Sequence, residues 1–217
     1  MAPFAVVNGT EYCVFTEPDS EEMARLLGEA FAKHDPPAVA VGVTVAEFQD
    51  FVQLFCAHAA LQGLTIIARS AGNGEMIGAL LAEDSNSQLP AGMECLSPKF
   101  TPIFDILSQL DSAYRSGRMI AAGESAHLFL LGVAERSGGR GVGHELVAHC
   151  IANAARKGYS VAVTEATNRT SQHIFRKRGF VERVRGSYQN HRYDGQAYFA
   201  SIAEHVGPIL MDRLLAR

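Results

Sequence analysis

The sequence predicts an α/β fold, and three observations lead to it. Short apolar runs alternate with segments whose apolar residues recur every three or four positions, the periods of strands and helices respectively. Leu64 to Ser70 and Met76 to Ala82 flank Ala71-Gly72-Asn73-Gly74-Glu75, a turn composition that reads as a hairpin. Leu128 to Val133 runs into Gly138-Gly139-Arg140-Gly141-Val142-Gly143 and a helical pattern from Val142 to Lys157, giving strand, glycine turn and helix in succession.

The elements follow in order. Tyr12 to Thr16 reads as a short strand, and after Pro18-Asp19-Ser20 a helix places Met23, Leu26, Leu27, Ala30 and Phe31 on one face. It stops before Asp35-Pro36-Pro37, since proline cannot continue a helix and biases the residue before it toward extended backbone. Thr44 and Glu47 form a capping box for a second helix, with Val45, Phe48, Val52, Phe55 and Ala59 at helical spacing up to Gly63. The hairpin follows, then a loop-like stretch from Glu83 to Lys99. Pro102 suits the first turn of a helix reaching Arg115. Leu128 to Val133 is a near-continuous apolar run, expected to be a central strand buried on both faces. In the helix after the glycine turn, Leu146, Val147, Ile151 and Ala154 share the inner side and Gly158 is the stop. Ser160 to Thr164 is then a strand, Thr167 to Arg178 a short helix, Phe180 to Gly186 a strand and Tyr198 to Ile202 a last one. With no repeat, low-complexity tract or linker, residues 1–217 read as a single domain.

The glycine turn carries the first chemistry. Glycines let the backbone approach an anion closely and adopt positive φ. The first N–H groups of the following helix lack partners within it, and the positive end of its dipole favours an anion there. Arg140 adds a mobile cation on the rim. No starting glycine completes G-x-G-x-x-G and no G-K-[ST] follows, so neither nucleotide signature is present. On its own the turn is open between a phosphate cradle and a surface loop.

Composition narrows the partners. The 217 residues are 47% hydrophobic, enough for a full core, and the net charge of −4 has no run of like charge that would fit nucleic acid or a membrane surface. Cys13, Cys56, Cys95 and Cys150 form no CxxC and have no histidine at ligand spacing, so they read as reduced thiols of a cytoplasmic protein without a metal. Met1 to Thr10 has no charged region followed by an apolar core, and no segment nears 18 uninterrupted apolar residues, so neither secretion nor membrane spanning is expected.

Taken with a second motif, the glycine turn resembles a known family. The buried strand, Gly138 to Gly143, a helix, a strand and then Asn168-x-x-Ser171-x-x-x-Phe175-x-Lys177-x-Gly179-Phe180 are similar to the GNAT superfamily of acyl-CoA-dependent N-acyltransferases. That resemblance implies a mixed, mostly antiparallel sheet flanked by helices, with central strands that splay apart. It also implies that Gly138, Gly139, Arg140, Gly141, Val142 and Gly143 cradle the pyrophosphate of coenzyme A. Backbone groups of Leu131 and Val133 would meet the pantetheine arm, with Asn168, Ser171 and Phe175 at the same ligand. Phe31-Ala32-Lys33-His34-Asp35-Pro36, Ser97-Pro98-Lys99-Phe100 and Glu204-His205-Val206-Gly207, the last ahead of an expected C-terminal helix, are more specifically similar to arylalkylamine N-acetyltransferases of the insect type. By that resemblance Asp35 is a general base assisted by Thr167 and Ser171.

The sequence departs from the family pattern at three positions. Asp stands at 35 where the subfamily has Glu, one methylene longer. The Arg or Gln that usually opens the glycine motif falls at Gly138, while Arg136 fits the bare R-x-x-G-x-G spelling two residues too early for the helix. The tyrosine that often protonates the departing thiolate falls at Phe175, which has no proton to give.

The implied function is transfer of an acetyl group from acetyl-CoA to the primary amine of a small molecule by direct attack through a tetrahedral intermediate. An arylalkylamine is the leading acceptor, with Phe31, Phe48, Phe51 and Phe55 available to line an apolar pocket. A monomer or homodimer is expected. The alternative is a catalytically inert acyl-CoA-binding or sensing module. The residues also have plain readings: Asp35 as a turn former before Pro36, Asn168 and Ser171 as a helix start, and Phe175 as core.

Overall fold

A computed structural model describes residues 4–216. One eight-stranded sheet contains every strand of the described residues, in the order β1-β2-β3-β4-β5-β6-β8-β7. These are β1 (Ala5–Val7), β2 (Thr10–Val14), β3 (Ile66–Ser70), β4 (Met76–Asp84), β5 (Ser125–Val133), β6 (Val161–Ala166), β7 (Val181–Arg185) and β8 (Ile209–Leu214). Only β5 and β6 pair in parallel, so the sheet is mixed and mostly antiparallel.

The helices are α1 (Ser20–His34), α2 (Pro36–Val41), α3 (Val45–Gln62), α4 (Thr101–Arg115), α5 (Val142–Arg156) and α6 (Arg169–Lys177). α1 to α4 pack on one face around Met23, Leu27, Phe48, Phe51 and Phe55. α5 and α6 pack on the other around Leu146, Val147, Ile151 and Phe175. Two glycines in the central strands admit these helices closely. A Cβ on Gly132 would stand 2.7 Å from Leu27 Cδ2, and one on Gly78 would stand 3.0 Å from Leu146 Cδ1.

Local chemistry explains the boundaries. Thr44 Oγ1 accepts from the Glu47 N–H at 3.2 Å while the Glu47 carboxylate accepts from the Thr44 N–H at 2.7 Å, and Gly63 ends α3 with φ +59°. In the hairpin between β3 and β4, Asn73 Oδ1 accepts from the Glu75 N–H at 3.2 Å. No helix of the described residues is long and apolar enough to cross a membrane.

Four expectations are corrected. β1 was not anticipated; Asn8 and Gly9, with φ of +49° and +74°, form a two-residue turn between β1 and β2. Met1 to Pro3 of the N-terminal reading lie outside the described residues. Pro36 and Pro37 begin a short helix, α2, rather than only ending α1, because a first helical turn needs no N–H from them. β5 is not buried on both faces: past Ala126 its residues alternate between buried and half-buried, with Leu130 and Gly132 covered by the α1 side and Leu131 and Val133, on the α5 and α6 side, half-open to a cleft. Finally, Tyr198 to Ile202 is no strand and no C-terminal helix follows. Phe199 and Ile202 are buried at a spacing of three, as in a single helical turn, and the apolar run Ile209 to Met211 instead forms β8 between β6 and β7. A short apolar run fits either period, so its partners decide.

Candidate active site

The site begins where β5 and β6 part. Their parallel pairing covers only Ser125, Ala126 and His127 of β5. Thr164 Oγ1 then bridges to Leu128 O at 2.9 Å, and beyond that the strands diverge. The register against β4 shifts at the same level: Leu128 faces Ala82 and Leu130 faces Leu81, leaving Phe129 as an extra residue. Such a bulge bends its strand. Past it, the Ala134 N–H donates to Ile77 O on the β4 side at 2.9 Å. Backbone groups alternate along a strand, so Leu131 and Val133 direct theirs to the opposite edge, into the gap left by β6. A cleft of about 660 Å³ lies there, lined by Leu131, Gly132, Val133, Gly143, Asn168 and Asp35 among others.

At one end of the cleft stands the glycine turn. Gly139 and Gly141 have φ of +71° and +81°, which only glycine adopts readily, whereas Gly138 has an ordinary φ of −59° and is instead crowded, a Cβ there standing 3.1 Å from the Glu135 carbonyl oxygen. A Cβ on Gly143 would meet Ile174 Cδ1 at 3.2 Å, so that glycine keeps the start of α5 close to α6. Among the described residues, the N–H groups of Gly139, Arg140 and Gly141 find no acceptor within the protein, and those of Val142, Gly143 and His144 open α5. This row of unpaired N–H groups fits a phosphorylated ligand such as coenzyme A. Arg140 has no ion-pair partner among the described residues, whereas Arg136 is paired with Glu75.

At the other end stands Asp35. It closes α1 and caps α2 in one step, its ψ of +116° matching the extended backbone that Pro36 favours. Its side chain is buried, and Thr167, just past β6, donates its Oγ1 hydrogen to Asp35 Oδ1 at 2.5 Å. Tyr188 in turn donates to the Thr167 carbonyl at 2.8 Å and fixes that residue. Burial raises the Asp35 pKa from 3.8 to about 6, against the hydrogen bonds from Thr167 and the Ala38 backbone, which lower it. A carboxylate held this way is ionised at neutral pH but still basic enough to take a proton.

The remaining residues fall at the same place with other tasks. Asn168 and Ser171 form the capping box of α6: Asn168 Oδ1 accepts from the Ser171 N–H at 2.9 Å, and Ser171 Oγ donates to the Asn168 carbonyl at 3.0 Å. Ser171 therefore lines the cleft without a hydrogen bond to Asp35. Phe175 is buried with its ring 5.0 Å from that of Phe180, one edge against the other's face. Sequence reasoning missed Tyr188 as the support of Thr167, and nothing local in the sequence places it there.

Beside the cleft lies a smaller cavity of about 80 Å³ with phenylalanine walls. Phe31, Phe48 and Phe51 line it as expected, joined by Phe100, Phe104 and Phe129, while Phe55 faces a neighbouring cavity. Phe31 stacks on Phe48 at 4.9 Å and Phe100 on Phe104 at 5.6 Å. Asp35, Phe31, Leu131, Asn168 and Ser171 belong to the linings of both the cleft and this cavity, so the carboxylate sits at their junction. Phe100 and His205, from two of the segments that carried the arylalkylamine resemblance, line the cavity and the cleft respectively.

A mixed sheet with splayed central strands, a row of free N–H groups at a glycine turn and a buried carboxylate beside an apolar cavity fit an acyltransferase class of site. The profile of the acetyltransferase (GNAT) family matches residues 44–180, more than half of the sequence, and the chain belongs to that family of acetyl-CoA-dependent N-acetyltransferases. No curated protein sequence matches it. Among solved structures it is similar to the C-terminal condensation domain of Ebony in complex with β-alanyl-dopamine, at a TM-score of 0.87 and 15% identity over 94% of this chain and 98% of that one. It is also similar to arylalkylamine N-acetyltransferase 2 from Aedes aegypti, at 0.78 and 18% over 96% and 100%. A Drosophila melanogaster polyamine N-acetyltransferase that forms N-acetylagmatine gives 0.76 and 17% over 95% and 100%.

Proposed function

We propose that this protein transfers the acetyl group of acetyl-CoA to the primary amine of a small arylalkylamine by direct attack. The observation that carries this reading is the position of Asp35, buried and hydrogen-bonded to Thr167, at the junction of the cleft and the phenylalanine-walled cavity. Aromatic walls suit an aryl ring, and the carboxylate suits the amine that must lose a proton before it attacks. The structural neighbours whose names include an arylalkylamine or a dopamine conjugate support this acceptor, while the polyamine enzyme keeps an aliphatic amine as the competing class.

Each residue then has a task. The N–H groups from Gly139 to Gly143, with Arg140 on the rim, bind the pyrophosphate of the coenzyme. Leu131 and Val133 hold the pantetheine arm in the gap between β5 and β6, with Asn168, Ser171 and Phe175 on its far wall. Asp35 accepts the ammonium proton, directly or through one water, and Thr167 orients it. The Leu131 N–H meets the negative charge that develops on the carbonyl oxygen. A departing thiolate has an ordinary pKa of about 8.5, so little proton assistance is needed and Phe175 is compatible with turnover. The same reading takes the chain as one cytoplasmic acetyltransferase domain.

Release of free thiol from acetyl-CoA is measured across a panel of aryl and alkyl amines. Arylalkylamines are expected to give the highest kcat/KM. Binding of acetyl-CoA without thiol release from any amine supports the inert binding module instead.

A further inference from the structure

Two histidines beside the glycine turn have no task in the chemistry above. His144 is the third residue of α5 and His173 lies midway along α6, and their rings meet across the two helices at 6.1 Å, one edge toward the other's face. His144 is half-buried and His173 exposed. Each adjoins a residue of the cleft wall: His144 follows Gly143 and His173 precedes Ile174, the two residues through which α5 and α6 approach each other.

The surroundings of the pair are cationic. Arg169, His173 and Lys177 recur at a spacing of four, which puts them on one stripe of α6. Arg140 stands on the turn before α5. Among the described residues Arg140, Arg169 and Lys177 have no carboxylate partner, whereas Arg176 and Arg178 are committed to Glu182 and Glu145. The charged and titratable groups that face His144 are Arg178, His173 and Lys177 from α6 and Glu145 from its own helix. Burial lowers the His144 pKa from its ordinary 6.5, and the three basic groups lower it further against the single carboxylate. A place in the first turn of α5 adds the positive end of that helix, which also disfavours an imidazolium. A neutral pair is therefore favoured at pH 7 until an anion stands beside it.

We infer that His144 and His173 couple coenzyme binding to proton uptake, a phosphate group of coenzyme A being held at the pair by the imidazolium that its own charge stabilises. This inference rests on the coenzyme site proposed above and deepens it. An opposite charge within about 4 to 6 Å moves a titration by about one to three pH units toward the charged form, enough to protonate a histidine near neutrality. The proton comes from solvent, and no other bond is made or broken. The pair also supplies what the turn lacks, since Gly138 stands where the family pattern has an Arg or Gln. Because the complex holds the additional proton, affinity for the coenzyme is highest at low pH and falls as pH rises.

The test is calorimetry of coenzyme A binding to the whole protein at pH 7.5 in two buffers of different ionisation enthalpy, with dephospho-coenzyme A as a second probe. A phosphate monoester, with a second pKa of about 6, is almost fully ionised at that pH and releases little proton of its own. The wild type is expected to take up about half a proton or more per coenzyme, and its affinity to fall about tenfold from pH 6.5 to 8.5 at constant ionic strength. His34, Asp35, Glu204 and His205 also line the cleft, so variants make the assignment. The double variant His144→Gln, His173→Gln is expected to lose the uptake and to bind within about threefold across the same range. Uptake that persists in the double variant, or wild-type binding without uptake, overturns the inference. If the double variant does not fold, His173→Gln at its exposed position decides: reduced uptake supports the inference and unchanged uptake overturns it. With dephospho-coenzyme A, loss of the uptake identifies the 3′-phosphate as the partner and retention identifies the pyrophosphate, and either supports the inference. A protein that does not bind coenzyme A at all refutes the coenzyme site itself and the inference with it.

Discussion

Asp35 is unusual because its carboxylate is buried with a threonine hydroxyl and a backbone N–H for company, rather than a cation. This has a cost that depends on pH. The folded pKa of about 6 lies above the ordinary 3.8, so between these values the folded chain binds more protons than the unfolded chain. The contribution of Asp35 is therefore most favourable below about pH 4 and is lost as pH rises through 6, by on the order of 3 kcal/mol. Asp35→Asn removes this dependence, so urea titrations are expected to show the variant gaining stability relative to wild type between pH 4 and pH 7. Thr167→Val removes a hydrogen bond that lowers the same pKa. The acidic limb of kcat/KM then moves upward, and activity at pH 7 falls by about threefold to tenfold in a thiol-release assay. Asp35 was legible from its place before Pro36 and the resemblance around it. The burial that raises its pKa was not, because it comes from tertiary packing, and neither was the opposing hydrogen bond from Thr167, 132 positions away in sequence.

At the scale of elements, the turns carry the most information. The turn from Gly138 to Gly143 was read correctly as the junction of a strand and a helix, because glycine composition and the periodicity of α5 are both local. The division of labour within it was not local: Gly139 and Gly141 are glycines for backbone conformation, Gly143 for its contact with Ile174, and Gly138 for the Glu135 carbonyl, 3.1 Å from where a Cβ would stand. Gly141→Val forces a β-branched residue to φ +81° at the start of α5 and is expected to weaken acetyl-CoA binding by about tenfold or more by calorimetry. A second prediction concerns the join between β7 and β8. A Cβ on Gly207 would run into the Gly186 carbonyl, a backbone contact that cannot swing aside. Gly207→Ala is expected to cost about 2 kcal/mol or more, read as a lower thermal midpoint. The same region is where sequence reasoning failed: Tyr198 to Ile202 and Ile209 to Met211 are both short and apolar, and only β6 and β7 on either side make the second a strand.

For the whole molecule, the function follows from an interruption in an otherwise continuous sheet. Seven neighbouring pairs build eight strands, and the single parallel pair, β5 with β6, lasts three residues before the strands part. The cleft that opens there brings together the glycine turn from one face and Asp35 from the other, with α1 and α3 holding the phenylalanines over the gap. A ligand that bridges this gap joins the two halves of the fold. Acetyl-CoA at 100 times its Kd is therefore expected to add about 2.7 kcal/mol and to raise the thermal midpoint by about 5 to 10 °C. The mixed sheet and the splay followed from the family resemblance once the glycine turn was set beside Asn168 to Phe180. The junction of cleft and aromatic cavity could not be read in that way, since Phe31, Phe48, Phe100, Phe129 and Thr167 come from five different stretches of the chain. The most direct test of the central claim, that Asp35 takes the amine proton at this junction, is kcat/KM for an arylalkylamine from pH 5 to 9 in wild type and Asp35→Asn. The wild type should rise with pH along a limb near 6 and level off, while the variant should lose about a hundredfold or more and show no such limb. A variant that keeps the wild-type rate and the same limb would contradict it.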